Sequence, residues 1–348
     1  MRVAIDATPL TVPTGGIRRY TEELARALRS LYPEDEYTLI SDQPFETCLP
    51  LRRGERPGFL GRRWWLIGVQ REMSRLGSEV FHGTDFAVPY LPLRPSVMTI
   101  HDLSPWRSDL PSASERVRRR TPALLRLRLV TMVITPSAVV RNEAISMFGL
   151  PPQAVVSIPE SCFPGSFCKN ANSQARARPY FLFVGSFEAR KNIGALIAAW
   201  RELRNEADLV LIGRGSPRAT IVAPEPGLEC LENVADCELP AWYEGAAAFV
   251  YPSIYEGFGL PVLEAMGCGA PVITSCDRAI SEVANGAAVQ VEASDVRGLR
   301  EAMSAALRSG FKEQWRERSL RRAAEFSWER TARETREVYA EAIRRFHG

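Results

Sequence analysis

The sequence predicts an α/β protein built from two doubly wound parallel sheets. Short, wholly apolar runs of β-type residues alternate with helical periodicity along almost the whole chain, the pattern of strands covered on both faces by helices. One aperiodic stretch rich in Pro, Ser, Asn and Gly, residues 159–179 (PESCFPGSFCKNANSQARARP), divides the chain into halves of similar size. In the second half, residues 249–276 (FVYPSIYEGFGLPVLEAMGCGAPVITSC) read as one strand–turn–helix–strand unit. At 348 residues the chain is long for a single core and suits two domains.

Taken in order, the first half has β-type runs at Val3–Ile5, Tyr37–Ile40, Val80–Phe81, Val97–Ile100, Met132–Thr135 and Val155–Ile158. The second has them at Tyr180–Val184, Leu209–Ile212, Phe249–Tyr251, Val272–Thr274 and Ala288–Val291. Between them, Ile17, Tyr20, Leu24 and Leu28 share one helical face, as do Ile193, Leu196, Ile197, Trp200 and Leu203. Ser137, after Thr135-Pro136, is placed to cap a helix running to Phe148, because its hydroxyl can accept from an unpaired amide of the first turn. The stretch from Phe311 to His347 reads as one or two charged helices anchored by Trp328, Val338, Tyr339, Ile343 and Phe346.

Composition, 45% apolar and 24% charged, is that of a globular protein. Net charge is +3, with 22 Lys+Arg against 17 Asp+Glu in residues 1–170 (+5) and 22 against 24 in the remainder (−2). So mild an excess does not argue for nucleic acid, which needs a concentrated basic face. No apolar run reaches membrane-spanning length, and Met1-Arg2 leads into strand-like residues with no signal-peptide pattern. Seven cysteines at irregular spacings suit reduced thiols, hence a cytoplasmic setting, and neither Cys162/Cys168 nor Cys230/Cys237 has zinc-site spacing. Arg118-Arg119-Arg120 with Arg126 and Arg128, and Trp64-Trp65-Leu66-Ile67 after Arg62-Arg63, read either as a solvated helix over core aromatics or as a membrane-surface or acceptor face. Glu34-Asp35-Glu36 reads as a loop.

Ligands of open parallel sheets bind outside the carboxyl ends of the strands, and four polar clusters fall there. Thr14-Gly15-Gly16-Ile17 follows the first strand, as a phosphate-approaching turn or a plain one. His101-Asp102 follows Val97–Ile100, where the histidine is either structural or functional. Gly185-Ser186-Phe187-Glu188 and Arg190-Lys191-Asn192 precede the Ile193 helix; two cations at a helix N-terminus oppose its dipole, and a bound diphosphate would reverse that sign. The fourth is Glu256-Gly257-Phe258-Gly259, ahead of a helix with Pro261 in its first turn. Bare backbone and a helix start make an anion cradle, but Glu256 and Glu264 flank it eight positions apart. Carboxylates beside an anion cradle suggest a ligand with hydroxyls as well as phosphates, as in a nucleotide sugar.

EGFGLPVLE followed by AMGCGAPVITS resembles the signature of retaining family-4 glycosyltransferases of the GT-B fold. TGGIRRYTEEL, HGTD, TIHDLSPW, ITPSAVVRNE, FVGSFEARKN and FSWERTARETREVY extend the resemblance over nearly the whole chain. It implies two Rossmann-like domains facing each other across a cleft: residues 1–165 on the acceptor side, 176–325 on the donor side, and a helix in 326–348 returning to the first domain. It also implies site roles. Arg190 and Lys191 would grip the donor diphosphate, Glu264 the ribose and Glu256 the donor-sugar hydroxyls. Gly257, Phe258, Gly259 and Leu260 would line sugar and phosphate, with Gly185 beside them, and Asn233-Val234 would adjoin the base. Gly15 and Gly16 would approach the phosphates, and His101 would stand beside the transferred sugar. Two departures stand out: Ser186 replaces the arginine many members carry after the glycine of FVG, and Glu160-Ser161 replaces the usual Asn-Gly.

The activity implied is transfer of a sugar from a nucleotide donor to an acceptor hydroxyl with retention. Arg190, Lys191 and the Pro261 helix would stabilise the leaving diphosphate in the part a metal plays elsewhere, and the chain has no Asp-x-Asp pair to hold one. The TGGIRRY and HDLSPW segments look most like bacterial mannosyltransferases, which implies GDP-mannose as donor and a glycan or lipid-linked glycan as acceptor. Neither cofactor nor nucleic acid is implied, and peripheral association with the inner face of the cell membrane is left open. A UDP-sugar transferase, a nucleotide-sugar 2-epimerase and a non-catalytic sugar-nucleotide-binding protein are the competing possibilities. Acceptor choice is expected to lie around Pro57–Leu66 and Pro105–Arg120.

Overall fold

A computed structural model describes residues 1–12, 15–54, 63–108, 110, 115–162, 176–213 and 225–348. Thr14, most of Pro57–Leu66, part of Pro105–Arg120, and Cys168 with much of the 159–179 stretch lie outside these residues. The chain divides into two compact units, one formed by Met1–Trp106, Ser114–Glu160 and Trp328–Gly348, the other by Arg107–Ala113 and Ser161–Ser327.

In the first unit, strands β1 (Arg2–Asp6), β2 (Glu36–Ile40), β3 (Arg52–Arg53), β4 (Val80–Gly83), β5 (Ser96–Thr99), β6 (Met132–Thr135) and β7 (Val155–Ser157) make one sheet in the order β3-β2-β1-β4-β5-β6-β7. Every pairing is parallel. Parallel neighbours need crossovers, supplied here by α1 (Gly16–Leu31), α2 (Val69–Leu76), α3 (Glu115–Arg126) and α4 (Ala138–Phe148). Helix α1 buries Tyr20, Leu24 and Leu28 from the expected face, and the Ser137 hydroxyl accepts from the Val140 amide at 3.2 Å. Of the basic and aromatic segments, Trp64 and Trp65 are buried, with the Arg120 guanidinium 5.2 Å over the Trp65 ring.

The second unit repeats the plan. Strands β8 (Tyr180–Val184), β9 (Asp208–Ile212), β10 (Leu228–Leu231), β11 (Ala248–Tyr251), β12 (Val272–Ser275) and β13 (Val289–Val291) pair in parallel in the order β10-β9-β8-β11-β12-β13. Helices α5 (Ile193–Arg201), α6 (Leu239–Gly245), α7 (Leu260–Gly267), α8 (Arg278–Ala284), α9 (Val296–Ala306) and α10 (Phe311–Ala323) complete it. Tyr180, Phe181, Leu182 and Phe183 pack with Leu209–Leu211, Phe249–Tyr251, Val272 and Ile273 in one core.

Two strands had no sequence signal. Arg52-Arg53 and the half-buried Leu228–Leu231 stand at sheet edges, where one side is unpaired and the side chains need not be apolar. The final helix α11 (Trp328–His347) belongs to the first unit, putting Trp328, Ala332, Val338, Tyr339 and Ala342 into the core that holds Val3, Ile5, Tyr20 and Leu24. Asp35, expected in a loop, is buried and anchors this helix. Its Oδ2 accepts from Arg336 Nε at 2.7 Å, and the same guanidinium lies 4.3 Å over the Tyr32 ring.

Asp6 ends β1 fully buried, its Oδ1 accepting from the Thr8 amide (3.0 Å) and the Thr8 hydroxyl (2.6 Å). Burial, with Asp85's charge adding, pushes its pKa up to about 7 against the Thr8 bonds and Arg120. A raised carboxyl pKa makes ionisation cost stability as pH climbs from the unfolded value of 3.8 towards about 7. Asp6→Asn keeps the acceptor and removes that cost. Melting midpoints at pH 5 and pH 8 should therefore show the variant gaining on wild type, by about 1 kcal/mol or more between them; an equal difference at both pH values would refute this.

Candidate functional site

In the second unit the β8–α5 and β11–α7 connections meet at one buried charge cluster. After β8 the chain passes Gly185 and enters a 3₁₀ turn, Ala189–Lys191, closed by Asn192 at φ 57°. After β11 it runs from Pro252 to Gly259, and the Ile254 amide donates to the Arg190 carbonyl at 2.8 Å, joining the loops. Glu256, 6% exposed, lies between the two cations. Its Oε1 accepts from Lys191 Nζ (2.6 Å) and Ser253 Oγ (2.6 Å), and its Oε2 from Arg190 Nη1 (3.0 Å). Lys191 Nζ also donates to the Tyr251 hydroxyl at 2.6 Å, and Arg190 Nε to Glu188 Oε2 at 2.8 Å. Burial alone would raise the Glu256 pKa, but the Lys191 and Arg190 charges and the hydrogen bonds outweigh it and hold it down at about 2.

Arg190 and Lys191 stand directly ahead of α5, with Asn192 between them and Ile193, and Glu188 and Glu256 compensate the charge they bring to that helix end. Glu256, assigned from the sequence to the donor-sugar hydroxyls, here binds both cations. An ammonium has three donors, and two of Lys191's are taken by Tyr251 and Glu256.

Helix α7 begins at Leu260 with Pro261 in its first turn, after Gly259 at φ 98°, a conformation side-chain-bearing residues rarely adopt. Phe258 is buried against Phe326, ring centroids 5.9 Å apart. Glu264 is 1% exposed and accepts from the Tyr243 hydroxyl at 2.9 Å. Close to the end of β8, Gly185 donates its amide to the Ile212 carbonyl, and a Cβ on Gly213 would fall 1.9 Å from the Gly185 carbonyl oxygen. Asn233 follows β10 at φ 62°, and Val234 packs half-buried on the core of this unit. Four participants were not anticipated. Tyr251 and Ser253 were hidden in an apolar strand and its loop, and Tyr243 on α6 joins the site through its bond to Glu264. Asp277 follows β12, where the strand-end rule could have found it; it caps α8 through the Ile280 amide, and burial together with Glu256's charge pushes its pKa up to about 6.

The other three anticipated positions lie in the first unit. Gly15, at φ 139°, precedes α1, and Gly16 is that helix's first residue; both are exposed. His101 follows β5 with both ring nitrogens engaged, Nδ1 to Glu160 Oε1 (3.1 Å) and Nε2 to the Thr84 carbonyl (2.8 Å).

Two parallel Rossmann-like sheets, one carrying a glycine turn and carboxylates at its strand ends, make the GT-B fold. The fold matches WaaG, a glycosyltransferase involved in lipopolysaccharide biosynthesis, with a TM-score of 0.73 at 15% identity, covering 97% of this chain and 99% of that one. It matches Anabaena HepE in complex with UDP and glucose with a TM-score of 0.73 at 16% identity, covering 98% and 100%. Residues 14–161 match the sequence model Glycosyltransferase Family 4 and residues 178–309 match Glycosyl transferases group 1, and the chain belongs to this glycosyltransferase family. Among curated relatives, O-antigen chain mannosyltransferase B of Escherichia coli is 29% identical over 97% of this chain and 99% of its own length. An O-antigen chain mannosyltransferase of Salmonella typhimurium is 28% identical over 61% of this chain and 60% of its own.

Proposed function

We propose that this glycosyltransferase moves mannose from GDP-mannose to a hydroxyl of a surface glycan or lipid-linked glycan, with retention and without a metal. The observation that supports this most is the buried Arg190–Lys191–Glu256 cluster beside the Gly259–Leu260 helix start, which offers cations and amides to a diphosphate and a carboxylate to sugar hydroxyls. Similarity along the full length of an O-antigen mannosyltransferase supports mannose. Arg190 and Lys191 take the diphosphate, Glu256 turns to the sugar, and Glu264 to the ribose. The amides of Gly257 to Leu260 line the donor, Gly185 lies alongside, and Asn233-Val234 meets the base. Gly15 and Gly16 close on the phosphates, and His101 stands beside the transferred sugar. As the bond from the anomeric carbon to the diphosphate breaks, the acceptor oxygen bonds to that carbon from the same face and its proton passes to the departing diphosphate. The basic α3 face leaves peripheral attachment to an anionic membrane compatible with this role.

Titration of GDP, UDP and ADP against the fluorescence of the seven tryptophans should show selective GDP binding. Tighter binding of UDP, the nucleotide held by the Anabaena neighbour, would overturn GDP-mannose. Transfer that survives EDTA and yields an α-linked product from the α-linked donor checks the remaining claims. Conversion of the donor alone to an epimer would replace transfer with epimerisation.

A further inference from the structure

His101 and Glu160 are 59 positions apart, yet the sheet order β5-β6-β7 brings the loop after β7 back over the end of β6 to the end of β5. The two side chains are 12% and 4% exposed. The Thr84 carbonyl oxygen can only accept, so Nε2 carries a hydrogen, and in a neutral ring Nδ1 would then carry none. One proton lies between Nδ1 and Glu160 Oε1, and placed on Nδ1 it makes the ring an imidazolium with two N–H donors facing two acceptors. The neighbouring His82 makes the contrast. Its nitrogens meet the Tyr339 and Thr99 hydroxyls, which can donate or accept, and burial pushes its pKa down to about 3.

We infer that Glu160 is a positioning residue that holds His101 as an imidazolium with both N–H groups committed, so that His101 brings fixed positive charge to the site and takes up no proton. The place of His101 beside the transferred sugar rests on the function proposed above; its charge state does not. The ring plane is set by Tyr20, edge-on at 4.9 Å, and by Phe86 at 6.3 Å. The titratable and charged groups around it are Glu160 after β7, Asp85 after β4, the adjacent Asp102, Tyr20 on α1, His82 on β4 and, through Asp85, Arg120 on α3. Burial alone would lower the His101 pKa, but the Glu160 hydrogen bond and charge, the Asp85 charge and the Thr84 carbonyl together raise it. A fixed cation favours departure of an anionic diphosphate, and a ring with no free lone pair leaves the acceptor's proton to that diphosphate.

The chain has three histidines, so ring nitrogen resonances of ¹⁵N-histidine protein are few, and His347→Gln, an exposed change, completes the assignment. Without donor or acceptor, both His101 nitrogens should show imidazolium shifts at pH 7. In Glu160→Gln, whose amide oxygen still accepts from Nδ1, the titration should move down by about one pH unit or more. A neutral wild-type ring at pH 7, or an unmoved titration in the variant, overturns the assignment. Should the variant not fold, the wild-type spectrum decides alone. In transfer assays the alkaline fall of kcat should move to lower pH in Glu160→Gln, because the charge is lost as pH rises through the His101 pKa. A shifted ring titration with an unshifted rate profile would overturn the catalytic part, whichever sugar is transferred.

Discussion

Glu256→Ala should destabilise the second unit by about 3–5 kcal/mol and abolish transfer. Truncation leaves Lys191 Nζ, Arg190 Nη1 and Ser253 Oγ without the acceptor they share in a buried place. The variant Glu256→Gln, which keeps an acceptor but loses the charge, should be less damaging to stability. The double variant Lys191→Ala/Glu256→Ala should cost less than the two single losses added, since it leaves no single buried charge behind. pH adds a second signature. A depressed carboxyl pKa contributes stability that is present above the unfolded value of 4.5 and is lost as pH falls towards about 2. Urea midpoints at pH 7 and pH 3 should therefore separate wild type from Glu256→Ala most widely at pH 7. A loss below about 1 kcal/mol at pH 7 would mean that the pairing is not what holds the two loops together.

The other large effect belongs to the first unit. Trp328→Ala should cost about 3–5 kcal/mol, because the ring is 2% exposed and packs beside Tyr20 at 6.2 Å in a core shared with β1 and α1. Its indole nitrogen has no hydrogen-bond partner among the described residues, so Trp328→Phe gives up volume alone and should cost about 1–2 kcal/mol. Amide exchange should localise the damage: protection of β1 and α1 should fall in Trp328→Ala while that of β8 and β11 is kept. Uniform loss across both sheets would contradict this.

What could be read from the residues alone follows burial. Strands such as Met132–Thr135 and Tyr180–Val184 were legible to the residue because a parallel strand covered on both faces must be apolar throughout. Arg52-Arg53 and Leu228–Leu231 were not, since a sheet edge imposes no such demand. Within the site, Gly257–Gly259 and Pro261 announced the turn and helix start by backbone requirement. The bond from Lys191 to Glu256 spans 65 positions and leaves no local mark, so the two were assigned to separate ligand groups and not to each other. Glu160 was legible as a departure from the family and illegible as the partner of His101, because a replacement becomes intelligible only beside the group it faces.

Helix α11 has a consequence for the order in which the protein is made. A ribosome releases β1 to β7 first, then Ser161–Ser327 with every strand of the second unit, and only afterwards Trp328, Val338 and Tyr339. The unit translated first therefore has to wait, its sheet lacking one wall, while the unit translated second closes its core immediately. Vectorial synthesis and completion run in opposite directions here, and the interval between them is when β1 and α1 present bare apolar surface to chaperones.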